Sequence, residues 1–261
     1  MDRQSNLSRF FQSDGRTVIL PIDHPLAISA PGLEDPIGLI EATNPVVDGY
    51  VVNLGVALAA ADAFGDKGVC LRTDCYKPCY NDNLDEGSYR IYGADEALTV
   101  GAHGMMNMYY PHHSNEASIT REAAELVSES LETEIPTIME ALPFGIGRPA
   151  DYTVENISFT TRAAAELGAD IVKTAFPTDG TVDEFKSIVD NCFVPIIVLG
   201  GAAMGDDEAL LSMVKKAIDG GASGIAVGRN VWQHAQPAKI AAALQAIVHD
   251  DASVESALKL I

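Results

Sequence analysis

Eight short apolar, β-branched runs separated by helix-like stretches, a recurring Gly-Ala join between helix and strand, and a length of 261 residues predict an α/β chain folded as a (β/α)8 TIM barrel. Such a barrel takes about 250 residues. No linker, low-complexity tract or composition break divides the chain. One barrel domain spanning 1–261, with a short N-terminal lead-in over 1–16, is therefore expected. An open doubly wound sheet is the competing architecture, because strand number alone does not separate the two.

The runs, in order, are 17–22, 48–53, 69–73, 104–108, 137–141, 171–175, 195–199 and 224–227. They lack apolar/polar alternation, which fits parallel strands covered on both faces. Between the fourth and fifth, 118–131 sets Ile119, Ala123, Leu126, Val127 and Ser130 along one helical face. Segment 156–167 runs into Gly168-Ala169-Asp170, where Gly168 suits the left-handed position that ends a helix. Segment 206–218 leads in the same way into Gly220-Gly221-Ala222.

Lys and Arg number 17 against 37 Asp and Glu, a formal charge of −20, with a pI near 4.4. That balance argues against nucleic acid or an anionic membrane as partner, since both need clustered Lys and Arg. It leaves room for a small anion held by a few backbone N–H groups and one Arg. The hydrophobic share of 47% against 21% charged excludes general disorder. Met1-Asp2-Arg3-Gln4-Ser5 contains no apolar core of a secretory signal, and no run approaches the roughly 18 apolar residues of a membrane span, so a cytoplasmic location is expected. Of Cys70, Cys75, Cys79 and Cys192, the pair Cys75/Cys79 is spaced C-x3-C without a second pair to complete a zinc site. Reduced thiols are expected.

In a barrel the chemistry belongs at the C-terminal ends of the strands. The residues leaving the runs are Asp23 and His24, Asn53, Glu140 and Leu142, Gly200-Gly201 and Gly228-Arg229-Asn230, with Lys173 inside the sixth run. A lysine within an apolar strand either snorkels to solvent or is held as a neutral amine able to attack a carbonyl. Asp23 is either a turn cap or, with His24, half of a proton-relaying pair, and His24 is equally suited to a hydrogen-bonded core position. Adjacent residues of an extended strand diverge, so the two need not share a pocket. Gly200, Gly201 and Gly228 are either plain tight turns or, with Arg229, a grip for phosphate after the last two strands. Within 105–113, Tyr109 and Tyr110 read as packed aromatics or as acids at the barrel mouth, and His112 and His113 as a surface loop pair without metal spacing. No metal is expected.

These stretches together resemble the archaeal-type class I aldolases, a barrel family that also includes transaldolase-like synthases and the autoinducer-2 phosphate thiolase of bacteria. The resemblance runs from about Thr17 to His249. It rests on Ile22-Asp23-His24, on Gly168 through Thr174, on Gly200-Gly201-Ala202 and, most specifically, on Gly221 through Gln233. It implies that Lys173 is a Schiff-base lysine, that Asp23 and His24 handle protons, and that the two glycine turns with Arg229 hold phosphate. Two departures stand out. Pro25 replaces the glycine of the family's Asp-His-Gly. The family's aromatic-x-Tyr-Pro segment reads Glu140-Ala141-Leu142-Pro143, so Leu142 takes the place of an acid/base tyrosine. The thiolase-like relatives also lack that tyrosine, and Gly145-Ile146-Gly147-Arg148 resembles theirs.

The leading expectation is a metal-independent, cofactor-free class I aldolase acting on a small phosphorylated keto substrate, with fructose 1,6-bisphosphate a poor one. Lys173 would form the imine, and Asp23, His24 or Glu140 would relay protons. The alternatives are acyl or ketol transfer through the same lysine, and a barrel that binds a phosphorylated ligand without turnover. The family's habit of assembly implies a homo-oligomer.

Overall fold

The computed structural model of the chain describes residues 1–76 and 88–261; Cys79, and with it the Cys75/Cys79 spacing, lies outside the described residues. Ten strands are described: β1 (Thr17–Pro21), β2 (Gly49–Val52), β3 (Gly68–Arg72), β4 (Asp74–Tyr76), β5 (Ser88–Arg90), β6 (Gly104–Tyr109), β7 (Thr137–Ala141), β8 (Ile171–Thr174), β9 (Ile196–Leu199) and β10 (Gly224–Ala226). Eight of them close a parallel barrel in chain order. The seam is the pairing of β1 with β10, Thr17 opposite Gly224 and Ile19 opposite Ala226, and it excludes the open sheet. Each predicted run holds one barrel strand to within a residue or two at either end.

The unexpected element is the antiparallel ribbon of β4 and β5. Its strands have three residues each and a mixed polar pattern, too short for a periodic signal. It lies between β3 and the helix Ala94–Thr99. The helix Glu116–Thr133 buries Ile119, Ala123, Leu126, Val127 and Ser130, the face its sequence sets out. Gly168 ends the helix Val154–Leu167 at φ 109°, a conformation costly for a residue with a Cβ. None of the described helices is long and apolar enough to cross a membrane.

Along each barrel strand every second residue faces the interior. Ile19, Val51, Cys70, Met106, Ile138, Ile171, Ile197 and Ala226, one from each barrel strand, form an apolar interior cluster, and Phe10 packs against it. The N-terminal lead-in thus closes the bottom of the barrel through Phe10, with Leu7 and Phe11 packed beside it. Gly49, Gly68 and Gly104, at the starts of β2, β3 and β6, make room for the Phe10 ring. A Cβ on Gly68 would lie 2.5 Å from it, one on Gly49 2.9 Å and one on Gly104 3.1 Å. Arg3 clamps the same segment to the barrel, giving Asp170 two hydrogen bonds of 2.7 and 2.6 Å.

His249 ties the floor to the last long helix. Its ring nitrogens lie 2.7 Å from Asp14 and 2.9 Å from Asp48. Burial alone would lower its pKa, but the hydrogen bonds to Asp48 and Asp14 outweigh burial and raise it above the ordinary histidine value. A raised folded-state pKa stabilises the fold fully below the unfolded value of about 6.5, and that contribution fades as pH climbs through the folded value. His249→Gln should therefore lower the denaturation midpoint most at a pH below the unfolded histidine value and progressively less as the pH is raised above it. A deficit that grows with pH would contradict the assignment.

Candidate active site

Three of the interior positions one layer above the apolar cluster are charged. Ile138 and Glu140, Ile171 and Lys173, and Cys70 and Arg72 each sit two apart on their strands, so the second of each pair faces inward above the first. Glu140 and Lys173 are partners in the β7–β8 register. Lys173 Nζ lies 2.8 Å from Glu140 Oε1, and Arg72 Nη1 donates to Glu140 Oε2 at 2.7 Å. Arg72, fully buried, also reaches Asp74 through Nε at 2.5 Å and lies 3.5 Å from Asp23. Its guanidinium covers the Tyr76 ring at 4.5 Å.

Lys173 is 4% exposed, so it does not snorkel. The apolar letters around it belong to the strand's other face and to the layer below; the amine itself stands among charges. Two cations face three carboxylates in this cluster, and pairing offsets the cost of taking each out of water. Burial works to raise the Glu140 carboxyl, but Lys173 and Arg72 outweigh it and leave it below the usual range. Burial likewise opposes ionisation of Asp23, yet His24, Arg72 and Lys173 hold its carboxyl well below that range.

Asp23 and His24 converge on this cluster together. The strand has ended at Pro21, Asp23 is in an αR conformation, and His24–Leu26 forms a single 3-10 turn. The alternation that would separate neighbours in a strand therefore no longer operates. Pro25 costs this turn little, since a turn's first N–H groups lack internal partners in any case. His24 Nδ1 lies 3.5 Å from Asp23 Oδ1, and its ring meets Trp232 edge-on at 5.4 Å. Asn53 donates to the Asp23 carbonyl at 2.7 Å and so braces the turn.

Above the cluster opens a cavity lined by His24, Tyr76, Glu140, Lys173 and Leu142, and also by Gly200, Gly201, Gly228 and Arg229. All four glycine-turn residues singled out in the sequence thus border the same space as Lys173. The Arg229 side chain makes no hydrogen bond or ion pair among the described residues, and its Nε is buried without a partner. The backbone N–H groups of Gly201, Ala202 and Ala203 also donate no hydrogen bond among the described residues. Together they offer an unpaired cation and three unspent donors to an anion.

Other candidates fall away. Tyr109 and Tyr110 are buried and absent from the cavity wall, so neither is an acid at the mouth. His112 is exposed, its ring stacked on Phe159 and tilted against Phe144. His113 departs from the surface-loop expectation. It is buried, packed beside Tyr110, with Nδ1 accepting from the Asn115 N–H. Among the described residues no group of three or more His, Cys, Asp or Glu side chains is arranged to hold a metal ion. Arg72, Asp74 and Tyr76 went unnoticed in the sequence. Arg72 left only a partial trace, a charged residue closing an apolar run, because the inward face of that run is set by strand pairing.

The family model described as DeoC/LacD family aldolase matches residues 17–234. The chain is 33% identical over 255 residues to the fructose-bisphosphate aldolase class 1 of Halobacterium salinarum, covering 94% of this chain and 95% of that protein. It is 30% identical over 248 residues to the 2-amino-3,7-dideoxy-D-threo-hept-6-ulosonate synthase of the same organism, covering 94% and 91%. A solved archaeal fructose-1,6-bisphosphate aldolase, its catalytic Lys covalently bound to the carbinolamine intermediate of the substrate, matches with a TM-score of 0.83 and 26% identity, covering 95% of this chain and 99% of that one.

Proposed function

The chain belongs to the DeoC/LacD aldolase family, and on that premise we propose that it makes or breaks a C–C bond in a phosphorylated ketose or related keto compound through an imine on Lys173. The observation that carries this reading is the pairing of buried Lys173 with Glu140 at 2.8 Å, beneath a cavity that also holds the unpaired Arg229. An ammonium has no lone pair to offer a carbonyl. Glu140, ionised and within hydrogen-bond reach, takes the Nζ proton as the amine attacks. Glu140 then returns that proton to the carbinolamine hydroxyl, which leaves as water, and the resulting iminium accepts the electron pair when the C–C bond breaks. Arg72 keeps Glu140 charged for this step by holding its other oxygen.

His24, at the cavity wall with Asp23 behind it, is suited to move the proton of the substrate hydroxyl beside the breaking bond. Arg229 and the N–H groups after β9 would hold the phosphate. Leu142 favours a second reading. It leaves no proton-moving side chain at its place on the wall, so ketol transfer to another acceptor would proceed there as readily as release of two products.

The test is borohydride reduction in the presence of dihydroxyacetone phosphate. A mass gain on the peptide containing Lys173 is expected. No adduct, or an adduct on a different lysine, would remove the mechanism.

A further inference from the structure

Two loops carry the groups assigned above to phosphate, 200–204 after β9 and Gly228-Arg229 after β10. One side chain joins them. Asn230, 8% exposed, follows Arg229 in the short helix Arg229–Trp232 and spends its whole amide on the first loop. Nδ2 donates to Gly200 O at 3.0 Å and to Ala202 O at 3.1 Å, while Oδ1 accepts from the Met204 N–H at 2.8 Å. Both donors and one acceptor are thereby used, and the loop is wrapped around the amide. The N–H groups of Gly201, Ala202 and Ala203, left without partners among the described residues, lie within this wrapped stretch.

The fit is tight on one side and open on the other. A Cβ on Gly200 would come 2.7 Å from Val227 Cγ1 and 3.3 Å from Asn230 Nδ2, so a side chain there would push against the joint. At Gly201 a Cβ would meet nothing within 4 Å, and glycine is needed there for its φ of +67°. The loop is thus closely packed where it touches Asn230 and vacant one residue later.

We propose that Asn230 is the positioning residue of the phosphate-facing wall. It fixes the N–H groups of 201–203 at a set distance from Arg229 and so gives the enzyme its preference for a keto compound that bears a phosphate. Asn230 acts through the loop and does not itself meet the substrate. This inference rests on the imine reading of Lys173.

The experiment measures borohydride trapping of the full-length chain by intact mass, with dihydroxyacetone phosphate and dihydroxyacetone as probes. The wild type should half-trap at a lower concentration of the phosphorylated probe. Asn230→Ala should raise that concentration on the order of tenfold while leaving the unphosphorylated probe within about twofold. Gly200→Ala, which disturbs the same joint from the other side, should narrow the preference in the same direction, and Arg229→Ala, which removes the cation itself, serves as the reference for a large narrowing. An unchanged ratio of the two probes in both Asn230→Ala and Gly200→Ala would overturn the proposal, as would equal losses on both probes. A wild type that traps neither probe would instead overturn the imine reading beneath it.

Discussion

Lys173→Arg retains the barrel and forms no imine. A guanidinium stays protonated at every pH a protein survives, so it never presents a lone pair to a carbonyl. Its fork can still pair with Glu140, which keeps the buried carboxylate from being orphaned beside Arg72. Stability should accordingly change little, while turnover falls by more than about 10⁴-fold, the scale on which losing a covalent nucleophile is felt. Thermal melting and borohydride mass analysis of the variant separate the two effects. Any reducible adduct in Lys173→Arg, or turnover above a trace, would mean that another amine carries the reaction.

Fructose 1,6-bisphosphate should be turned over poorly even where its imine forms. Leu142 is fully buried at the end of β7, its N–H bonded to Tyr109 O at 3.0 Å and its side chain at the cavity wall. A positioned general acid/base contributes about 10²–10⁴-fold, and a leucine supplies none of it. A deficit of that order is expected against an aldolase bearing tyrosine at this place. The measurement is turnover of the wild type with this bisphosphate beside other phosphorylated ketoses and with added acceptors. If the bisphosphate proves the best substrate by a wide margin, a different group has replaced the tyrosine. Glu140, on the same face of the strand two residues earlier, is then the first to change to Gln.

The strands were legible because a barrel strand is covered on both faces and reads as an uninterrupted apolar run. The same property hides what each run points inward. Nothing in Gly-Val-Cys-Leu-Arg tells that Arg72 faces the interior until the β2–β3 and β3–β6 registers are known. Its partners Asp23, Asp74 and Glu140 come from three separate places in the chain. Lys173 was visible by its oddity among apolar letters, but its ion pair with Glu140 spans 33 residues and exists only through strand pairing. Asp23 and His24 were set apart by a rule for extended chain that ceases to apply once the strand ends at Pro21. His113 shows the opposite failure, a polar pair in a loop whose second member is buried by tertiary packing.

The floor of the barrel carries a constraint on how this chain can vary. Phe10 shares a single volume with Gly49, Gly68 and Gly104, which lie in three strands and make no claim on one another in the linear sequence. A methyl group added at any of the three overfills that volume, and a smaller residue at position 10 leaves it part empty; either costs on the order of 1–5 kcal/mol. At Gly104 the two errors cancel when they occur together, whereas a Cβ on Gly49 also lies 2.8 Å from Gly68 O and one on Gly68 2.9 Å from Arg9 O, backbone contacts that a smaller residue 10 leaves in place. Drift should therefore be a trade of size between positions 10 and 104, with the ring allowed to shrink where Gly104 grows, while Gly49 and Gly68 stay fixed by the backbone beside them.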